Sequence, residues 1–123
     1  MKTNVVEYAK NLAALSDHTS PIGAVIHKKG NIYSGGFNQA TKTHPLSQKG
    51  DFNTGHHAEL AAIVGVRYST VKNLEITVVR VRRCDDGLAL ARPCAHCMSL
   101  LEKFGIRTIH FSNEFGKFTT IRI

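Results

Sequence analysis

The sequence predicts a three-layer α/β fold: a mixed sheet of five strands with helices on both faces and an antiparallel last strand. Three observations predict it. Stretches of helical spacing alternate with short β-branched runs in the order helix, strand, strand, helix, strand, helix, strand, strand. The chain has 123 residues, which suits a single domain over 1–123 with one core. The last two strands are joined by a turn too short for a parallel crossover, which takes about a dozen residues or more.

Val5, Ala9, Leu12 and Leu15 recur at helical spacing, Thr3 is placed to cap that helix, and Pro21 ends the turn after it. Ala24 to His27 and Ile32 to Phe37 read as two strands around the turn Lys28-Lys29-Gly30-Asn31. From Gln39 to Gly55 the composition turns polar, and a loop of that length in so small a domain is commonly functional. His57 to Val66 is an apolar helix with small residues on several sides, so it is expected to be buried. Leu74 to Arg82 holds the run Ile76-Thr77-Val78-Val79, which suits a central strand. Cys94 to Phe104 reads as a helix with Met98, Leu101 and Phe104 on its inner face and Gly105 as its terminator. Arg107 to Ser112 is a strand, Asn113-Glu114-Phe115-Gly116 a turn, and Lys117 to Ile123 the last strand.

Apolar residues make up 42% of the chain, too many for a disordered segment. No apolar run approaches the roughly 18 residues of a membrane span, so no membrane role is expected. Met1-Lys2-Thr3-Asn4 leads into an amphipathic stretch and not into a signal-peptide core, which makes the cytoplasm the expected location. The formal net charge of +7 favours an anionic partner, such as a nucleotide phosphate or a nucleic acid, although a solvated basic surface accounts for it equally well. Arg80, Arg82, Arg83 and Arg92 form its one modest cluster.

Two of the three cysteines stand as Cys94-x-x-Cys97, which in a cytoplasmic chain points to metal or redox chemistry before a disulfide. Alone, that pair fits a redox couple or half a structural zinc site. It is joined by His57-Ala58-Glu59. Two thiolates and one imidazole make three zinc ligands and leave a fourth tetrahedral position for water, as in catalytic zinc sites. Cys94 and Cys97 lie three apart at a helix start, where the positive end of the helix dipole favours thiolates. Zinc lowers the pKa of bound water to about 7. Glu59, two residues beyond His57, is placed to carry protons from that water to a leaving group, although a carboxylate in a first helical turn also suits the dipole. Cys84 reads as a small buried hydrophobe rather than a ligand, and His96 as pointing away from the metal. Phe111 and Phe115 suit core or subunit packing more than stacking on a base.

His57-x-Glu59 with Pro93-Cys94-x-x-Cys97 resembles the signature of the zinc-dependent cytidine and deoxycytidylate deaminases, of the cytidine deaminase-like superfamily, and the likeness in element order covers most of the chain. The resemblance implies a cytidine deaminase-like fold, Zn2+ held by His57, Cys94 and Cys97, and Glu59 as the catalytic proton shuttle. It also implies hydrolytic replacement of an exocyclic amine by oxygen. Gly36-Phe37-Asn38 looks like the Gly-aromatic-Asn segment of members acting on nucleotides or tRNA, which makes Asn38 a substrate-binding candidate, and the backbone of Ala58 is a second. Asn38 also suits a purely turn-stabilising role. Family members form homo-oligomers whose neighbours complete the active site, so a homo-oligomer is expected here.

Two substrate classes follow. His-Ala-Glu, Gly-Phe-Asn and the basic charge favour a free cytosine nucleotide or nucleoside of the deoxycytidylate type. The antiparallel last strand instead resembles the free-cytidine branch, and the Arg often found ahead of Ile22-Gly23-Ala24-Val25 in deoxycytidylate deaminases is missing. A phosphate would then fall to Lys42, His44, Lys49 or the Arg cluster. The alternative is base editing of tRNA or single-stranded DNA or RNA, for which the charge is suitable but aromatic residues are few. A zinc-stabilised module without catalysis would have no need of Glu59.

Overall fold

The computed structural model describes residues 3–16, 21–28, 30–38, 58–66, 73–82, 87–93 and 95–122. Its elements in chain order are α1 (Thr3–Ala14), β1 (Ile22–Lys28), β2 (Asn31–Phe37), α2 (Ala58–Val66), β3 (Leu74–Val81), β4 (Leu88–Ala89), α3 (Ala95–Lys103), β5 (Ile106–Ser112) and β6 (Phe118–Arg122). The main sheet runs β2-β1-β3-β5-β6, and β4 pairs with β3. β1 is antiparallel to both β2 and β3, β3 is parallel to β5, and β5 is antiparallel to β6. The mixed sheet and its antiparallel last strand follow the sequence expectation. The sixth strand does not: β4 is two residues long, and a period of two leaves no trace in a dipeptide.

Side chains alternate across the sheet, and this alternation divides the core. On one face Val25 and Val79 pack with Val5 and Ala9 of α1. On the other, Ala24, Ile26, Ile76, Val78 and Ile109 pack with Ala62 and Ile63 of α2 and Leu100 and Leu101 of α3. One helix on one face and two on the other make the three predicted layers. β3 is covered on both sides, which is why its β-branched run reads without alternation.

α1 packs on β1, β2 and β3. Further along that face, polar side chains bond to one another. His110 holds Thr120 Oγ1 at 2.8 Å through Nδ1 and Glu75 Oε1 at 2.7 Å through Nε2. Its ring stacks on His27 at 5.9 Å between centroids, and His27 Nε2 lies 2.8 Å from Thr77 Oγ1. Mutual hydrogen bonding is what permits such groups on a largely buried sheet surface.

Two turns match their sequence signals. Gly105 follows α3 with φ of +86°, the left-handed terminator expected there. In the β5–β6 turn, Asn113 Oδ1 accepts the N–H groups of Phe115 and Lys117 at 2.9 and 3.0 Å. Among the described residues no helix is long and apolar enough to cross a membrane.

Candidate functional site

β2, β3 and β5 all point the same way, since β2 and β3 are each antiparallel to β1 and β5 is parallel to β3. Their C-terminal ends form one sheet edge, the usual place for a site in an α/β protein. Four local features bring candidate residues there.

The first is the direction of α2. A Cβ on Gly36 would overlap the Ala61 Cβ and come within 2.8 Å of the Ala62 nitrogen, so only glycine lets the helix approach the strand this closely. Ser34 Oγ donates to the Ala62 carbonyl at 2.8 Å, and a Cβ on Gly65 would overlap Ser34 Oγ. Moving up α2 thus corresponds to moving down β2. The helix runs antiparallel to the strand and starts at the end of β2 that leads to Asn38. Its first turn carries Ala58, 1% exposed, and Glu59, 5% exposed. A carboxylate is withdrawn so far from water only where it is paired or has proton chemistry to perform.

The second is the direction of α3. Only Phe104 and Gly105 separate its end from the start of β5, so the helix begins near the end of β5. Ala91 N–H donates to the Ser112 carbonyl at 2.8 Å, which ties the chain entering α3 to that edge. Cys97 lies in the first turn, 2% exposed and outside any disulfide. α2 and α3 pack against each other, and the N-terminus of each is electropositive.

The third is Ser112, which is fully buried. Its hydroxyl accepts the Arg80 N–H at 3.1 Å and donates to the Ala89 carbonyl. β3, β4 and β5 are joined at this one side chain, directly ahead of Pro93 and α3.

The fourth is Asn38, 7% exposed, whose Oδ1 accepts the Ile22 N–H at 2.9 Å and lies 2.6 Å from Ser16 Oγ.

Of the residues proposed from sequence, the structure brings Asn38, Ala58, Glu59 and Cys97 to one edge. His57 and Cys94 lie outside the described residues, as do Cys84, Arg83 and the polar loop with Lys42, His44 and Lys49. Among the described residues no three metal-binding side chains cluster. The chemistry of the donor set nevertheless suits zinc: Cys97 stands in the first turn of α3, where the helix dipole favours a thiolate, and thiolate with imidazole is a usual zinc ligand set. Arg82 and Arg92 are exposed near the same edge, and Arg80 is half-buried. Phe111 is a core residue, whereas Phe115, in the turn after β5, is 79% exposed. Sequence reasoning missed Ser16 and Ser112, and no motif marks either one.

Known proteins share this fold. The chain is similar in structure to a cytidine deaminase from Burkholderia pseudomallei, at a TM-score of 0.70 and 16% identity over 99% of this chain and 93% of that one. It is similar to the dCMP deaminase of the cyanophage S-TIM5, at a TM-score of 0.63 and 21% identity over 93% and 86%. It also resembles a diaminohydroxyphosphoribosylaminopyrimidine deaminase/reductase from Thermotoga maritima, at a TM-score of 0.55 and 24% identity over 90% of this chain and 29% of that one. These likenesses show the fold. No curated protein sequence matched the chain. The family model for the cytidine and deoxycytidylate deaminase zinc-binding region matches residues 1–113, nearly the whole chain, and the protein therefore belongs to that family.

Proposed function

We propose that this protein is a zinc-dependent hydrolytic deaminase that converts a cytosine nucleotide or nucleoside, preferably of the deoxycytidylate type, to the uracil product and ammonia. The observation that supports the reading is that α2 and α3, which pack on each other, carry Glu59 and Cys97 buried in their first turns.

His57, Cys94 and Cys97 would hold the ion. Zinc in such a set supplies Lewis acidity toward a water. The remaining work falls to the chain. Glu59 accepts the proton that the attacking water loses and delivers it to the ring nitrogen beside C4. It then moves the second proton to the exocyclic amine as the C4–N bond breaks and ammonia leaves. Burial of Glu59 keeps bulk water from competing for those protons. Asn38 and the Ala58 backbone would contact the base or sugar, and the protein would work as a homo-oligomer.

The second reading is a base-editing deaminase acting on tRNA or single-stranded DNA or RNA. Exposed Arg82 and Arg92 near the site edge, with a formal net charge of +7, favour it. The same arginines suit a 5′-phosphate.

Ammonia release by the zinc-loaded protein separates the readings. The panel holds cytidine, deoxycytidine, their monophosphates, adenosine, guanine and a single-stranded oligonucleotide. Turnover of one free pyrimidine supports the main reading, and equal rates with and without the phosphate remove the deoxycytidylate preference. Activity on the oligonucleotide alone supports the second. Glu59→Gln is expected to retain zinc and lose turnover by at least about 100-fold, the usual scale for a general acid–base. A Gln variant as active as the parent would sink the assigned mechanism.

A further inference from the structure

Among the described residues Phe115 is the most exposed large apolar side chain, at 79%. Core packing, the commonest fate of a Phe, is closed to it. Its place is nevertheless fixed. Asn113 N–H donates to the Lys117 carbonyl at 2.7 Å, and Gly116 N–H donates to the Asn113 carbonyl at 3.1 Å. Gly116 takes a φ of +76°, which closes the turn. Together with the two bonds accepted by Asn113 Oδ1, these contacts brace a turn that holds a bare ring in water.

The ring does not stand alone. Ser112, directly ahead of the turn, accepts the Ala91 N–H on its carbonyl at 2.8 Å and donates its hydroxyl to the Ala89 carbonyl. That junction sets the segment after β4 beside the turn. On this segment Leu90 and Arg92 are exposed, whereas Ala91 between them is buried. Lys117, in the turn itself, is exposed as well. Two apolar side chains and two cations are thus gathered where the chain enters α3. Among the described residues the turn holds one acid, Glu114.

An exposed aromatic ring flanked by cations suits a single-stranded polynucleotide. Every base has a face that can stack on the ring, and every linkage carries a phosphate for a cation. A duplex keeps its bases stacked on one another. A second copy of the chain is a poorer occupant, because each copy carries a formal net charge of +7 and would set like charge against these cations. We propose that this patch docks a single-stranded polynucleotide, with one base stacked on Phe115 and the backbone beside Arg92 and Lys117. None of these residues is assigned to the deamination step, so the patch binds a strand whether or not the reacting base belongs to it.

The test measures the affinity of the full zinc-loaded chain for a fluorescent oligothymidylate, whose bases have no exocyclic amine to lose. Phe115→Ser is expected to weaken binding about 5- to 100-fold, the scale of one lost stacking contact, and Phe115→Tyr to stay within about twofold of the parent. Arg92→Gln and Lys117→Gln are each expected to flatten the slope of log affinity against log salt by about 0.7, the share of one single-strand phosphate. Glu114→Gln is expected to tighten binding. Affinity that F115S leaves unaltered, or that polyglutamate matches, is that of a solvated basic surface and overturns the proposal. Equal affinity for a duplex overturns it, as does no binding at low salt. If F115S alters sedimentation of the protein and not its affinity for the strand, the ring serves a contact between copies and the proposal falls. Turnover of free pyrimidines is read separately, so a parent without it loses the deaminase reading and keeps the docking result.

Discussion

Ser112 illustrates how much one small side chain can organise. Its hydroxyl serves the Arg80 N–H and the Ala89 carbonyl while its carbonyl takes the Ala91 N–H, all without exposure to water. Replacement by Ala removes the hydroxyl and keeps the backbone bond. Ser112→Ala is expected to lower stability by about 1–3 kcal/mol, the cost of stranding buried polar groups. Urea unfolding with an unchanged m-value measures it. The segment from Ala89 to Pro93 leads into Cys94, so zinc affinity should fall as well. A variant of parental stability would mean that this junction is held by other contacts. Neither Ser112 nor Ser16 was legible in the sequence, and the reason is physical. A hydroxyl announces nothing by its type, and the partners of both serines are distant in the chain. His57-x-Glu59 and Cys94-x-x-Cys97 stand out in the sequence as candidates because metal and proton chemistry restricts both residue type and spacing.

At the scale of elements, the chain wrote its regular structure plainly wherever burial was complete. The Ile76–Val79 run needs two covered faces and has them. The antiparallel last strand follows from the length of the turn before it. β4 was illegible because it exists only by pairing Arg80 with Ala89 and Val81 with Leu88. The seating of α2 depends on a similar long-range fit. Its small residues, Ala61 and Ala62, sit directly over Gly36. Gly36→Ala would force the helix off the strand, at an expected cost of about 1–3 kcal/mol from overpacking. Because Ala58 and Glu59 ride on the same helix, thermal unfolding and metal titration should both register the change. Intact stability with intact zinc binding would show that α2 shifts without consequence.

At the scale of the whole molecule, the two cores divided by the sheet are unequal. The larger one gathers Ile26, Ile63, Ile76, Leu101 and Ile109, all fully buried, beneath α2 and α3. Ile76→Ala, in the central strand, is expected to cost about 2–5 kcal/mol. Phe115→Ser, on a residue 79% exposed, should change folding stability by no more than about 0.5 kcal/mol. Paired denaturation curves compare the two, and a large loss at Phe115 would place that ring in a contact between copies of the chain. The sheet order also governs when the site comes into being. β1 meets β3 only after α2 has been made, and the chain entering α3 is fastened by Ser112, near the far end of the sequence. During synthesis a nascent chain displays its Cys-x-x-Cys before the strand that secures it has left the ribosome. Such non-local closure slows folding, so on the proposed zinc-enzyme reading, firm capture of the ion would have to await the docking of β5.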